Sequence, residues 1–309
     1  MSKIQNDLNG WLIIDKEYGM GSTQVVGKLK WLLKPKKIGH AGTLDPLATG
    51  VLPIALGKAT KTIPYVTDGS KTYEFAVKWG AETSTDDVEG DVVLTSDKRP
   101  IMAQIEEMLP HFIGDITQIP PKYSALKING KRAYELARAG QEVDIKPRRI
   151  HIENLKILHH DDIKGKTHFE VNCSKGTYVR TIGHDMGRHL GCFGHIVKLR
   201  RTKCGPFRIK DAILLANFEK NDYNSNACGI LPLGTALGDI PVLAVNKEEA
   251  ALLIQGRPIL SKGRAQNKKV TAENVFALQY LNQMTALAKL EDGMLKPFRV
   301  LSDCLNEQN

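Results

Sequence analysis

The sequence predicts an α+β protein with one large domain and a small β-rich domain after it. Three observations carry this. Runs such as GWLIIDK, KTYEFAVKWG and THFEVNCS show the continuous or alternating apolar pattern of strands, whereas residues 22–34 and 101–112 place apolar residues at helical spacing. Near residue 240 the chain changes to short strand-like pieces separated by turn residues. A length of 309 residues suits two domains at roughly 150 residues each, as one large and one small unit or as two equal ones.

Taken in order, GWLIIDK is a short apolar run ending in charge, the pattern of a buried strand. Ser22 is placed to cap a helix running to Lys34, with Val25, Val26, Leu29 and Leu33 on one face and Lys28, Lys30 and Lys34 outside. Residues 39–50, GHAGTLDPLATG, hold too little apolar content for a core element and precede the strand-like VLPIAL. KTYEFAVKWG alternates as a strand, and the acidic stretch after it (Glu82, Asp86, Asp87, Glu89, Asp91) is expected to be a solvated loop facing away from any polyanion. IMAQIEEMLPHF is expected to be a helix with Ile101, Ile105 and Leu109 on one face. Residues 117–149, with paired prolines, two glycines and seven Lys/Arg from Lys127 to Arg149, suggest an excursion from the main body. RRIHIENLKIL and THFEVNCS follow as strands, GTYVRTIGHDMGRHLG as a strand end turning into a helix, and HIVKLRRTKCG as a basic strand. Beyond residue 240, Asn246 and Glu249 form a capping box before AALLIQ, and Gly256 stops that helix. VFALQYL, MTALAKLE and LKPFRVL complete the β-rich module.

Composition narrows the function. The chain carries 43 Lys+Arg against 34 Asp+Glu, a net charge of +9, which favours a polyanionic partner. No apolar run reaches the ~18 residues of a membrane span. MSKIQNDLNGWLIID lacks a basic region followed by an apolar core, so no secretory signal is expected. The five cysteines (Cys173, Cys192, Cys204, Cys228, Cys304) are odd in number and form no CxxC pair, which argues against a disulfide scaffold or zinc ribbon and for a reducing cytoplasm.

Several chemistries lack support. His159 and His160 point to opposite faces of a strand, and His184 and His189 are five apart, so neither pair has metal-ligand spacing. No GxxxxGK[ST], GxGxxG or GxSxG motif is present. Attention falls on Asp45 in its glycine-rich loop. A carboxylate before a proline is commonly only a turn former. Here Gly39, Gly42 and Gly50 allow close approach of a ligand, Thr43 and Thr49 supply hydroxyls, and His40 supplies a ring and a possible positive charge.

GHAGTLDPLATGVLPIALGKATK resembles the catalytic signature of the bacterial tRNA pseudouridine-55 synthases, the TruB type. The resemblance continues at KTYEFAVKWG, PPKYSALKINGKRAYELARAG, CSKGTYVRTIGHDMG and HIVKLRRTKCGPF, in family order from about residue 10 onward. One departure stands at Lys16-Glu17-Tyr18-Gly19, where the family usually has Lys-Pro-x-Gly; it bears on the rigidity of this turn and not on the activity.

The resemblance implies the pseudouridine synthase fold, a mixed, largely antiparallel sheet with flanking helices. It implies a catalytic domain over 1–241, with an RNA-gripping insertion at about 117–149, and a PUA-like RNA-binding domain over 242–309. By the same resemblance Asp45 is the catalytic carboxylate, Tyr73 stacks on the target base and helps remove its C5 proton, and Arg180 pairs with Asp45. His40 sits beside the vacated RNA stack, Leu199 lines the base pocket, and Tyr178 and Lys16 lie near the site. The implied partner is the tRNA T-arm stem-loop, with no membrane, no DNA and no obligatory protein partner. The implied reaction needs no cofactor and no metal, because nothing is oxidised and no group is imported. Attack by the carboxylate at base C6 and at ribose C1′ both remain open. Lys127, Lys131, Arg132, Arg148, Arg149, Lys198, Arg200 and Arg201 are candidate phosphate contacts. Two other readings share this scaffold: a catalytically silent tRNA-binding or folding protein, and a guide-RNA-dependent pseudouridylase. Asp45, Tyr73 and Arg180 discriminate against the first; the lack of long charged tails and the PPKYSALK insertion discriminate against the second.

Overall fold

The computed structural model describes residues 6–124, 126–128, 130–141, 144–220, 229–238, 240–265, 274–303 and 305. Cys228 and Cys304 lie outside them. In chain order the strands of the first part are β1 (Gly10–Lys16), β2 (Ile38–His40), β3 (Thr49–Leu56), β4 (Lys71–Trp79), β5 (Ala81–Thr83), β6 (Val92–Thr95), β7 (Gly114–Gln118), β8 (Lys127–Ile128), β9 (Lys131–Arg132), β10 (Arg148–Asp161), β11 (Lys166–Cys173), β12 (Gly194–Cys204), β13 (Phe207–Arg208) and β14 (Ile213–Leu214). The helices with them are α1 (Ser22–Leu33), α2 (Ile63–Asp68), α3 (Met102–Met108), α4 (Ala133–Arg138), α5 (Val179–His189) and α6 (Asn217–Lys220).

One ten-stranded sheet dominates, in the order β14-β1-β3-β12-β4-β11-β10-β7, with β2 on β3 and β13 on β12. Only β1–β14 and β3–β12 pair in parallel; the other pairs are antiparallel. The fold is therefore the mixed, largely antiparallel sheet with flanking helices that the sequence led us to expect.

Apolar cores form on both faces of this sheet. On one side Leu12, Ile14, Leu52, Phe75, Val77 and Phe169 pack against α1, α3 and α5. On the other, Trp11, Ile13, Val51 and Ala55 meet α2 and Phe207. α1 buries Val25, Leu29 and Leu33, as their spacing predicts. α3 differs at its start: Ile101 is an exposed cap, 58% accessible, and the buried pair is Ile105 and Met108. An apolar residue at a cap lies outside the helical turn, so periodicity alone overcounts the face. The excursion at 117–149 is a short hairpin, β8–β9, followed by α4.

A second, five-stranded sheet begins at Val242, built from β15 (Val242–Ala244), β16 (Ile259–Leu260), β17 (Val275–Tyr280), β18 (Gln283–Glu291) and β19 (Met294–Val300), with α7 (Lys247–Ile254) packed on it. Asn246 Oδ1 accepts from the Glu249 amide at 2.8 Å and Glu249 Oε2 from the Asn246 amide at 3.1 Å, completing the capping box. This module meets the first part through Leu237, Ile240, Val275 and Leu301, and through Lys61, which donates to the Val300 carbonyl at 2.6 Å.

α5 reaches the sheet unusually closely. A Cβ on Gly187 would lie 2.3 Å from the Gly194 nitrogen at the start of β12. Gly187→Ala is expected to lift α5 and cost about 1–3 kcal/mol. Gly27→Ala, on the exposed face of α1 where nothing lies within 4 Å of an added Cβ, is expected to gain about 0.5–1 kcal/mol. Urea unfolding of both variants checks the contrast.

Candidate active site

Residues 41–48 join β2 to β3, and most of them lie outside any strand ladder, so their polar backbone groups must find other partners. Three side chains from distant parts of the chain supply them, and a fourth holds the Asp45 carboxylate. Ser22 Oγ donates to the Leu44 carbonyl at 2.9 Å and accepts from the Leu44 amide at 2.8 Å. Ser22 is thus the first residue of α1 and not its cap; the cap is Gly21, whose amide donates to Gln24 Oε1 at 2.7 Å. The expected cap serine is used instead to pin the loop. Lys16, 1% exposed, donates to the carbonyls of Glu17 at 2.9 Å, Met20 at 2.6 Å and Pro46 at 3.2 Å. Together with the Gly19 amide, which donates to Pro46 O at 2.9 Å, it ties down the turn that lacks the proline. Arg201 holds the Gly42 carbonyl at 3.0 Å and the Val51 carbonyl at 2.8 Å. The fourth is Arg180.

Arg180 enters from the first turn of α5, is 5% exposed, and lies between two carboxylates. Its Nη2 is 3.0 Å from Asp45 Oδ2, and its Nη1 is 3.2 Å from Asp87 Oδ2. It also donates to the carbonyls of Thr85 and Tyr123, each at 2.9 Å. The two carboxylates differ in access: the Asp87 side chain is 2% exposed, that of Asp45 40%. One carboxylate is open to a ligand, and its counterion is fixed from behind by a buried one.

Asp87 corrects the reading of the acidic stretch. It is buried, accepts from Thr85 Oγ1 at 2.6 Å and from the Glu89 amide at 2.9 Å, and faces the site. Glu82 is buried too, in a two-pronged pair with Arg188 at 2.8 Å on both oxygens. Burial pushes the Asp86 carboxyl up to about 6. A solvated loop was expected because charge density was read without partners; Arg180 and Arg188 lie about a hundred residues on, and no local pattern points to them.

The remaining expected residues are placed as follows. Tyr73 is half-buried on β4, and burial pushes its phenol up to about 12, so it is neutral at pH 7. Leu199, 6% exposed on β12, belongs to the same apolar cluster as Leu44 and Leu47, against which Tyr73 also packs. Tyr178 caps α5; its amide and carbonyl both bond the side chain of Gln118, at 2.8 and 3.0 Å, and the Arg148 guanidinium lies 4.6 Å over its ring. His40 on β2 has a buried Nδ1 without a hydrogen-bond partner among the described residues. Burial and the nearby Arg201 hold its pKa below the ordinary value, so the ring is neutral where a positive charge was possible. Of the candidate phosphate contacts, Arg201 is excluded because it is 1% exposed, and Arg200 is already paired with Asp15 at 2.7 Å. Lys127, Lys131, Arg132, Arg149 and Lys198 are exposed, and Arg148 is partly so. No cluster of metal-ligand type occurs among the described residues, and no described helix is long and apolar enough to cross a membrane. Asp87, Gln118 and Arg201 take parts here that the sequence reading did not assign.

With the loop, the ion pair and the flanking aromatic residues in place, relatives can be compared. Residues 30–179 match the TruB family pseudouridylate synthase N-terminal domain, and residues 180–237 match the tRNA pseudouridylate synthase B C-terminal domain. The chain belongs to the TruB family. Its relatives include proteins named tRNA pseudouridine synthase B from Brucella anthropi, 44% identical over 96% of both chains, and from Rhizobium johnstonii, 47% identical over 96% of both. Among solved structures, a Cbf5-Nop10-Gar1 complex matches with a TM-score of 0.73 at 24% identity, covering 95% of this chain and 85% of that one, and supports the fold. The boundary between the two family matches falls at the start of α5, yet β12 beyond it lies in the middle of the large sheet.

Lys16 gives a pH test. Burial lowers its pKa from 10.5 to about 8, although Asp45 acts to raise it. Between these values the unfolded chain holds a proton that the folded chain has lost, so stability from this group rises with pH across that window. The change amounts to about 3 kcal/mol over the full window. The gap in unfolding free energy between wild type and Lys16→Met should therefore widen in favour of wild type from pH 8 to 10.5. Urea titrations at both ends measure it, and a constant gap would contradict the assignment.

Proposed function

We propose that this chain isomerises uridine 55 in the T loop of tRNA to pseudouridine. Membership in the TruB family supports the reaction class. The observation that carries the assignment to residues is the half-open Asp45 carboxylate held by a buried guanidinium at 3.0 Å. Desolvation by a bound base raises the energy of a carboxylate anion, and an adjacent guanidinium lowers it by the equivalent of ~1–3 pKa units. Arg180 offers the Asp45 carboxylate a fixed counterion as the pocket closes over the base, and its Nη2 arm holds the Oδ2 oxygen.

The reaction breaks the bond between uracil N1 and ribose C1′, turns the base, and joins C5 to C1′; N1 gains a proton and C5 loses one. Asp45 is the covalent catalyst. Tyr73 stacks on the flipped uracil and assists loss of the C5 proton, Leu199 lines the apolar wall of the pocket, and His40 sits beside the vacated RNA stack. Unstacking the base costs on the order of a few kcal/mol, offset by these contacts. Tyr178 and Lys16 support the site from α5 and β1. The exposed lysines and arginines of 127–149 grip phosphates, and the protein works in the cytoplasm without an obligatory protein partner. Residues 1–241 form the catalytic domain and 242–309 a PUA-like RNA-binding domain.

Asp45→Asn keeps shape and removes the charge. Tritium release from tRNA labelled at uridine C5 should vanish while tRNA binding stays within a few-fold of wild type; turnover near the wild-type rate would contradict the role. Deleting residues 242–309 should raise KM for full tRNA more than it lowers kcat, because the lost contacts act equally on ground and transition states. An isolated T-arm hairpin should be modified almost equally by both forms. Since Leu237 and Ile240 pack against Val275 and Leu301, circular dichroism must first establish that the truncated form is folded. A folded truncation inactive on the hairpin would overturn this division of labour.

A further inference from the structure

Arg201 is one of the largest fully buried side chains in the molecule, at 1% exposure. Taking a cation out of water costs several kcal/mol even after relaxation, and a carboxylate commonly compensates. Here the guanidinium bonds carbonyls: Nε to Val51 O at 2.8 Å, Nη2 to Gly42 O at 3.0 Å and Nη1 to Thr43 O at 3.5 Å. All three belong to the catalytic loop or to the strand that leaves it. The Tyr73 phenol and the Cys204 thiol lie close enough to act on its charge.

The register explains why these groups meet. β12 lies between β3 and β4, with Arg201 level with Gly50 on one side and with Tyr73 on the other. Cross-strand neighbours share a face of the sheet, so the Arg201 and Tyr73 side chains emerge together. Gly50, at φ +99°, is what admits β12 so closely; a Cβ there would lie 2.2 Å from the Arg201 carbonyl oxygen.

We propose that Arg201 is a positioning residue that locks the Tyr73 phenol oxygen to the Gly42–Asp45 loop, so that the two reacting side chains keep one fixed spacing. The guanidinium faces the loop carbonyls and the phenol at once, which a lysine ammonium, a point donor without the planar fork, cannot reproduce. The guanidinium charge also opposes the burial that drives the phenol pKa upward. Lys16 and Lys71 are the other cations near this group; Lys71 is turned to the Thr67 and Gly69 carbonyls and Lys16 to those of Glu17, Met20 and Pro46. No carboxylate is among the groups that act on the phenol. This inference rests on the proposed role of Tyr73, but its first test needs no substrate.

The experiment places 3,5-difluorotyrosine at position 73, which brings phenol ionisation into an accessible range, and follows its titration by fluorine NMR in wild type, Arg201→Gln and Arg201→Lys. Loss of the cation should raise the phenol pKa by about one unit or more, a tenfold change, and Arg201→Lys should shift it less. A folded Arg201→Gln protein with an unmoved titration would overturn the proposal. Should that variant fail to fold, Arg201→Lys decides through kinetics. Single-turnover tritium release should fall roughly tenfold or more with KM nearly unchanged, and the same substitution in a Tyr73→Phe background should cost far less. Full additivity of the two substitutions, or normal turnover in Arg201→Lys, would refute it. Inactivity of the wild-type protein on tRNA would refute the proposed function while leaving the fluorophenol result to stand or fall by itself.

Discussion

The structure depends on one constraint: residues 41–48 must be held still without a strand or helix of their own. Backbone groups buried away from water need partners, and most of this segment's are unavailable from a ladder. Lys16, Ser22 and Arg201 supply partners from β1, α1 and β12, and Arg180 from α5 holds the Asp45 side chain. Each is fixed in turn by its element, and Leu44 and Leu47 anchor the loop into the core from below. A loop tied in this way behaves as part of the scaffold, which is what a carboxylate needs if its position is to be accurate to a fraction of an ångström.

The same arrangement separates two kinds of buried cation. Arg180 lies between carboxylates and is oriented by Asp87 on its closed side, so its remaining edge is directed at Asp45. Arg201 has carbonyls and a phenol as partners, and its charge is therefore less fully neutralised. That difference follows from their strands and helices: α5 opens toward the turn containing Asp87, whereas β12 is enclosed between β3 and β4. α5 comes close to the start of β12 at Gly187, and β3 close to β12 at Gly50.

Much of this was legible in the sequence because it is local. The strand runs, the helix at 22–33, the capping box at Asn246 and the signature loop all follow from patterns within a dozen residues. What was not legible is long-range. Asp87 sits in a turn-forming acidic run that looks solvated until Arg180, 93 positions away, is brought to it. Arg201 looks like one more basic residue in LRRT, and only the parallel pairing of β12 with β3 buries it while Lys198, on the same strand, stays exposed. Ser22 has the right residue type and place for a cap, but the loop carbonyl and amide of Leu44 compete for its hydroxyl and win.

The charge states around the loop form a consistent set. His40 and Tyr73 are both kept neutral, the first by burial and the nearby Arg201, the second by burial against that same cation. Neutral rings suit stacking against a base, where a charged ring would have to be desolvated first. Positive charge is meanwhile held in buried guanidinium groups, which cannot deprotonate, and on exposed lysines. Lys71 and Lys16 are the exceptions, both buried with pKa values lowered by burial; Lys16, at about 8, lies beside the open carboxylate. It stands where the turn lacks a proline, and its three carbonyl bonds fix by electrostatics a geometry that a proline ring would fix by sterics. A turn fastened by charge is sensitive to pH in a way that a proline turn is not, and Lys16 thereby couples the stability of the Glu17 turn to the position of Pro46, the neighbour of Asp45 in the loop.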